Sequence, residues 1–138
     1  MSDPYSDLQQ SYGRCLRGKG FIERFYEVFM ASNTEVAAMF ARTDFQKQRL
    51  ALRRGISVAI FHAAGSSVVK RSMEQMAAVH SQGGRCPVAP HLYPYWIDSL
   101  ITVIAETDEQ ADEALLTRWR EAMDVAIGTF VQGYRTVQ

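Results

Sequence analysis

The 138-residue chain carries fifteen basic and fifteen acidic residues and a formal net charge of zero, so it presents no overall field that would draw in nucleic acid or a membrane surface. That length suits one domain burying about 68% of the surface its unfolded form exposes, with no room for a second catalytic domain. Two cysteines, Cys15 and Cys86, stand in no CxxC pattern and point to a reducing compartment. The start MSDPYSDLQQ has neither the regions of a signal peptide nor a membrane-spanning run. A soluble, cytoplasmic protein is the expectation.

The prolines stand at positions 4, 87, 90 and 94, leaving long stretches free to be helical. From Asp7 to about Arg17, Leu8, Tyr12, Cys15 and Leu16 recur at helical spacing, and Gly18 and Gly20 end that first helix. Phe21 to Met30 carries Phe21, Phe25 and Phe29 on one stripe and Ile22, Tyr26 and Met30 on the next, which predicts a buried helix. Ser32-Asn33-Thr34-Glu35 reads as a capping box that opens a short helix with Val36 and Phe40.

A second capping box, Thr43-Asp44-Phe45-Gln46, opens a longer stripe through Phe45, Gln48, Leu52, Ile56 and Ala59 up to Gly65. Ile56 to Phe61 alone resembles a strand, but no turn signal separates it from the helical pattern before it. Ser66 or Ser67 then caps a helix carrying Met73, Met76 and His80, ended by Gly83 and Gly84. After the loop Arg85 to Ala89, Pro90 opens a helix presenting Tyr93, Trp96, Ile97, Leu100, Ile101 and Ile104. Thr107-Asp108-Glu109-Gln110 is a third capping box, before a helix with Leu115, Trp119, Ala122, Met123, Ala126, Ile127, Phe130 and Tyr134 on one face. No convincing strand remains, and the expected class is all-α.

Met73, Met76 and His80 share one helix face. A histidine on such a face usually packs and hydrogen-bonds, and a zinc site would need three or four clustered ligands, which His80 lacks. Haem changes the requirement, because the porphyrin supplies four nitrogens and one protein imidazole completes the set. His62 stands far along the stripe that runs from Phe45 to Gly65, and His91 opens a helix, where exposure is expected. Neither is assigned to a metal. Lys47, Arg49, Arg53 and Arg85 are the basic residues near enough in sequence to meet haem propionates, with a solvated charged face as the alternative.

Five segments, FIERFYEVF at 21–29, MFARTDFQKQRLAL at 39–52, MAAVHS at 76–81, PHLYPYWIDSL at 90–100 and WREAM at 119–123, give the chain, by their joint order and separation, a resemblance to globins of the bacterial single-domain or flavohaemoglobin type. The resemblance implies a single globin domain over residues 1–138, a three-over-three helical sandwich around haem b (iron protoporphyrin IX). It makes His80 the metal ligand and Tyr26 and Gln48 the distal polar pair, with Leu52 one turn beyond the glutamine. Phe40 wedges against the haem face, and Met76 and Tyr93 line the cofactor. A tyrosine hydroxyl and a glutamine amide can both donate to a polarised gas ligand.

The implied function is reversible binding of oxygen, nitric oxide or carbon monoxide. The alternatives are nitric oxide dioxygenation with a separate reductase, a pseudo-peroxidase activity, or gas sensing through a partner. In flavohaemoglobin-like globins a tyrosine and a glutamate strengthen electron donation by the proximal histidine. Tyr93 matches the tyrosine, but no acid stands near Gly133 or Tyr134.

Overall fold

The computed structural model describes residues 5–134; residues 1–4, on which part of the leader reading rests, and 135–138 lie outside it. Seven α-helices follow one another in the described residues: α1 Ser6–Arg17, α2 Phe21–Ser32, α3 Thr34–Met39, α4 Phe45–Ala63, α5 Lys70–His80, α6 Tyr93–Thr107 and α7 Glu113–Gly133. Single 3₁₀ turns precede α5 (Ser67–Val69) and α6 (Pro90–Leu92). No strand occurs among the described residues, so the all-α expectation holds, and α4 runs unbroken through the apolar stretch 56–61.

The helix starts differ in detail from the capping boxes read in the sequence. Asn33, not Ser32, caps α3, its side-chain oxygen accepting from the N–H groups of Glu35 at 2.7 Å and Val36 at 3.4 Å. Asp44, not Thr43, does the same for α4, accepting from Gln46 and Lys47. In both cases a short amide or carboxylate displaces the neighbouring hydroxyl as acceptor, and a carboxylate also suits the positive helix end. The Ser32 hydroxyl instead donates to the Phe29 carbonyl. Thr107 ends α6, and α7 starts at Glu113 under the cap of Asp112, which accepts from Leu115 N–H at 2.8 Å. Ser66 starts the 3₁₀ turn before α5 by accepting from Val68 N–H.

The wide apolar face of α2 buries Phe21, Ile22, Phe25, Tyr26 and Phe29 and lies along α6. The α7 helix packs on α4, α5 and α6, and α5 also touches α4. Leu8, Phe25, Ile56, Leu100, Val103, Trp119 and Met123 are fully enclosed. No helix of the described residues is long and apolar enough to cross a membrane.

Asp108 opens no helix: its carboxylate accepts from the Gln110 N–H at 3.0 Å but is also tied to α1. It accepts from Arg14 Nε at 2.6 Å and from the Ser11 hydroxyl at 2.6 Å. Ser11 Oγ in turn receives the indole N–H of Trp119 at 3.0 Å. This buried chain joins α1, the α6–α7 turn and α7. Arg14 first, and Ser11 after it, hold the Asp108 carboxyl at about 2, below its ordinary 3.8.

Because the folded-state value is depressed, the stabilisation is complete above the unfolded value and is lost as pH falls toward 2. Asp108→Asn is expected to cost about 3 kcal/mol in urea unfolding at pH 7, since it leaves Arg14 without its charge partner. The wild-type advantage over this variant should shrink between about pH 4 and pH 2; an advantage constant over that range would remove the carboxylate from the account.

Candidate functional site

His80 is the last residue of α5, three residues before the first of the glycines expected to end the helix. The chain does not leave the helix end but folds back over it. The N–H of Cys86 donates to the Val79 carbonyl at 2.9 Å, that of Val88 to the His80 carbonyl at 3.0 Å, and that of Gln82 to the Tyr134 carbonyl at 2.7 Å. Carbonyls that the helix terminus would leave open are satisfied in this way. Gly84 permits the return: a Cβ there would collide with the carbonyl oxygens of Ala78 and Val79.

The returning loop brings the Cys86 carbonyl 3.1 Å from His80 Nδ1. A carbonyl can only accept, so Nδ1 carries the proton and the neutral ring keeps its free lone pair on Nε2. Burial lowers the His80 pKa from its ordinary 6.5, only partly opposed by the Cys86 bond, so the ring is neutral at pH 7. It rests against Phe130 with 5.6 Å between ring centroids and an interplanar angle of 60°. Phe130 also meets the ring of Tyr93 at 6.0 Å. The Tyr93 hydroxyl is buried without a hydrogen-bond partner, and burial raises its pKa, so an un-ionised donor stands unused there.

Tyr26, Phe40 and the start of α4 form a second group. The Tyr26 ring is in edge contact with Phe40 and Phe45, both at 5.5 Å. Burial pushes its phenol up to about 12, so it stays a donor. Its hydroxyl faces the backbone carbonyl of Gln48 at 3.3 Å, longer than usual for an O–H···O bond and therefore weak. Gln48 is half-buried and Leu52, one turn on, is buried. Further along, the Met76 methyl comes so close to α4 that a Cβ on Gly55 would lie 3.3 Å from it.

The structure thus gathers Tyr26, Phe40 and Gln48 at the start of α4, and His80 and Tyr93 around Phe130, with Met76 spanning α4 and α5. It does not show the side chains of Tyr26 and Gln48 working as a matched pair; the contact is phenol to backbone. His62 Nε2 is 3.1 Å from the Thr129 hydroxyl between α4 and α7, and the exposed His91 pairs with Glu35 at 3.0 Å. Arg49 lies in a depression with Tyr26, Met30 and Phe45, and Arg53 in a groove against α1. Phe45, Gly84, the Cys86 carbonyl and Phe130 do not stand out in the sequence as site residues, only as parts of a stripe, a helix end or a loop. The Gly83-Gly84 doublet was the available signal, since a pair of glycines can mark a close backbone approach as well as a helix end.

Among the described residues no three or more His, Cys, Asp or Glu side chains could hold a metal ion together. The arrangement is an all-α one in which the imidazole of His80, at the end of α5, keeps Nε2 free of any bond among the described residues. No family model and no curated protein matches the chain. A crystal structure from Pseudomonas aeruginosa PAO1, of a protein described as structurally highly homologous to a human hemoglobin, is similar to it at TM-score 0.86 and 35% identity, covering 91% of this chain and 94% of that one. The chain belongs to the globin family and has the globin fold.

Two measurements check this geometry. Long-range ¹H–¹⁵N spectra should show His80 neutral with its proton on Nδ1 at pH 7 and titrating below 6.5; a proton on Nε2 would contradict the Cys86 bond. Gly84→Ala should unfold at lower urea by about 1–3 kcal/mol and mix the His80 tautomers, because the loop carrying the Cys86 carbonyl must shift.

Proposed function

We propose that the chain holds one haem b through His80 Nε2 and reversibly binds a diatomic gas: oxygen, nitric oxide or carbon monoxide. The observation that carries this reading is the bond from His80 Nδ1 to the Cys86 carbonyl, which leaves Nε2 free in a chain with no multi-ligand metal group among its described residues. Bound haem would supply the iron that takes the gas, with His80 as the protein's own ligand to it. Phe40, Gln48, Leu52, Met76 and Tyr93 are the residues that would line it. The unpartnered Tyr93 hydroxyl supports the reading, since a buried donor without a partner is what a further group could satisfy.

Tyr26 would serve the gas by turning its hydroxyl away from the Gln48 carbonyl, a cheap exchange at 3.3 Å, and the Gln48 amide can add a second donor. The apolar Leu52 and Phe40 keep water out, which strengthens both donors. Reversible binding stands ahead of nitric oxide dioxygenation with a separate reductase, and of sensing through a partner. His80 bonds to a neutral carbonyl and not to a carboxylate, so the imidazole gains little extra electron donation. In this reading the protein is a bacterial single-domain, flavohaemoglobin-type globin working as one domain in the cytoplasm, where the two free cysteines stay reduced.

Haem titration should give a one-to-one complex with a Soret band, and His80→Gly should lose its axial ligation and regain it with added imidazole. Failure of the wild-type chain to give that band would end the haem reading. Tyr26→Phe should raise the oxygen release rate roughly tenfold or more in stopped flow, for a donor of about 1–3 kcal/mol. An unchanged rate would leave Tyr26 bonded to Gln48 in the liganded state.

A further inference from the structure

Away from His80, α1 and α4 face each other across a groove of about 560 Å³, within the size range of small-molecule sites. Tyr12 and Gly13 of α1 line one side, and Leu50, Arg53, Arg54 and Phe61 of α4 the other. The four α4 residues follow one another at i, i+3, i+4 and i+11, along one helix face. The Tyr12 hydroxyl donates to the Arg53 carbonyl at 2.6 Å, fixing the two helices to each other at this point. Gly13 leaves the space open: a Cβ there would meet only the end of Arg17, at 3.8 Å. A mid-helix glycine costs about 1 kcal/mol against alanine.

Two kinds of chemistry meet in this groove. Leu50 and Phe61 are exposed, at 66% and 36%, although both are large and apolar. Arg53 and Arg54 are exposed beside them, and neither has an acidic partner within ion-pair distance among the described residues. Since the chain's charges balance overall, two unpaired guanidinium groups over an apolar floor are a local feature. They match a ligand with one carboxylate, which arginine binds through two parallel hydrogen bonds, and a hydrocarbon tail that runs along α4 to cover Phe61. Helices on both sides leave room for a single chain rather than for a flat bilayer face.

We propose that the α1–α4 groove binds a free long-chain fatty carboxylate, with its tail between Gly13 and Phe61 and its headgroup on Arg53 and Arg54. The groove takes up Arg53, one of the sequence candidates for the haem propionates, and otherwise shares no residue with the proposed haem site, so it stands or falls independently of that reading.

The test is titration of the ¹⁵N-labelled full chain with sodium dodecanoate below its micellar concentration. Saturable one-to-one shifts centred on Gly13, Arg53, Arg54 and Phe61 are expected. Arg53→Gln with Arg54→Gln should weaken binding at least tenfold, dodecanol should bind at least tenfold less tightly than dodecanoate, and Gly13→Leu should block the groove while the far-ultraviolet helical signal is kept. The absence of saturable shifts, equal affinity for dodecanol or in the double arginine variant, or shifts centred on His80 and Tyr93 would each overturn the proposal. Binding to phosphatidylglycerol vesicles without binding of monomeric dodecanoate would also overturn it, assigning the face to a membrane surface instead.

Discussion

A single hydrogen bond, from His80 Nδ1 to the Cys86 carbonyl, decides what the imidazole can do, and much of the surrounding architecture is arranged around it. The ring has two nitrogens and, when neutral, one proton; fixing that proton on one side fixes the lone pair on the other. The acceptor is a backbone atom, so its position depends on the path of the chain and not on a rotamer. That path depends in turn on Gly84, which passes too close to the last carbonyls of α5 for any side chain, and on the Gln82–Tyr134 bond, which pins the loop to the end of α7. Phe130 then holds the face of the ring.

Most of the fold was legible in the sequence because the apolar residues recur at helical spacing and Pro90 and Pro94 fall only in first turns, where proline is tolerated. The periodicity of α2 and α7 and the reading of 56–61 as helix all rest on side-chain burial, which dominates over local propensity in long stripes. Helix starts were less legible. Three capping boxes were each offset, because the pattern does not say which of several adjacent oxygens wins the free N–H groups. Asp108 shows the extreme case, a residue whose carboxylate accepts from the nearby Gln110 N–H yet is shared with Arg14 and Ser11, far away in the chain. Nothing local encodes such a competition.

The site was legible unevenly for the same reason. His80 stood out as a histidine on an apolar stripe. Its partner did not, because a backbone carbonyl has no residue type to recognise, and Cys86 draws notice for its thiol instead. Tyr26 and Gln48 are adjacent as the resemblance implies, yet they meet through the glutamine's main chain. Arg53 was grouped with the other basic residues of the α4 region on sequence proximity; helical geometry turns it toward α1.

The contact between Gly55 and Met76 bears on how far apart α4 and α5 stand. Helices held apart by branched or aromatic side chains have a fixed separation, since those groups change shape only by straining. Here the spacer is a thioether with three rotatable bonds opposite a residue with no side chain at all. At this point of contact the packing can therefore adapt through rotamer changes of one methionine while both backbones keep their hydrogen bonds.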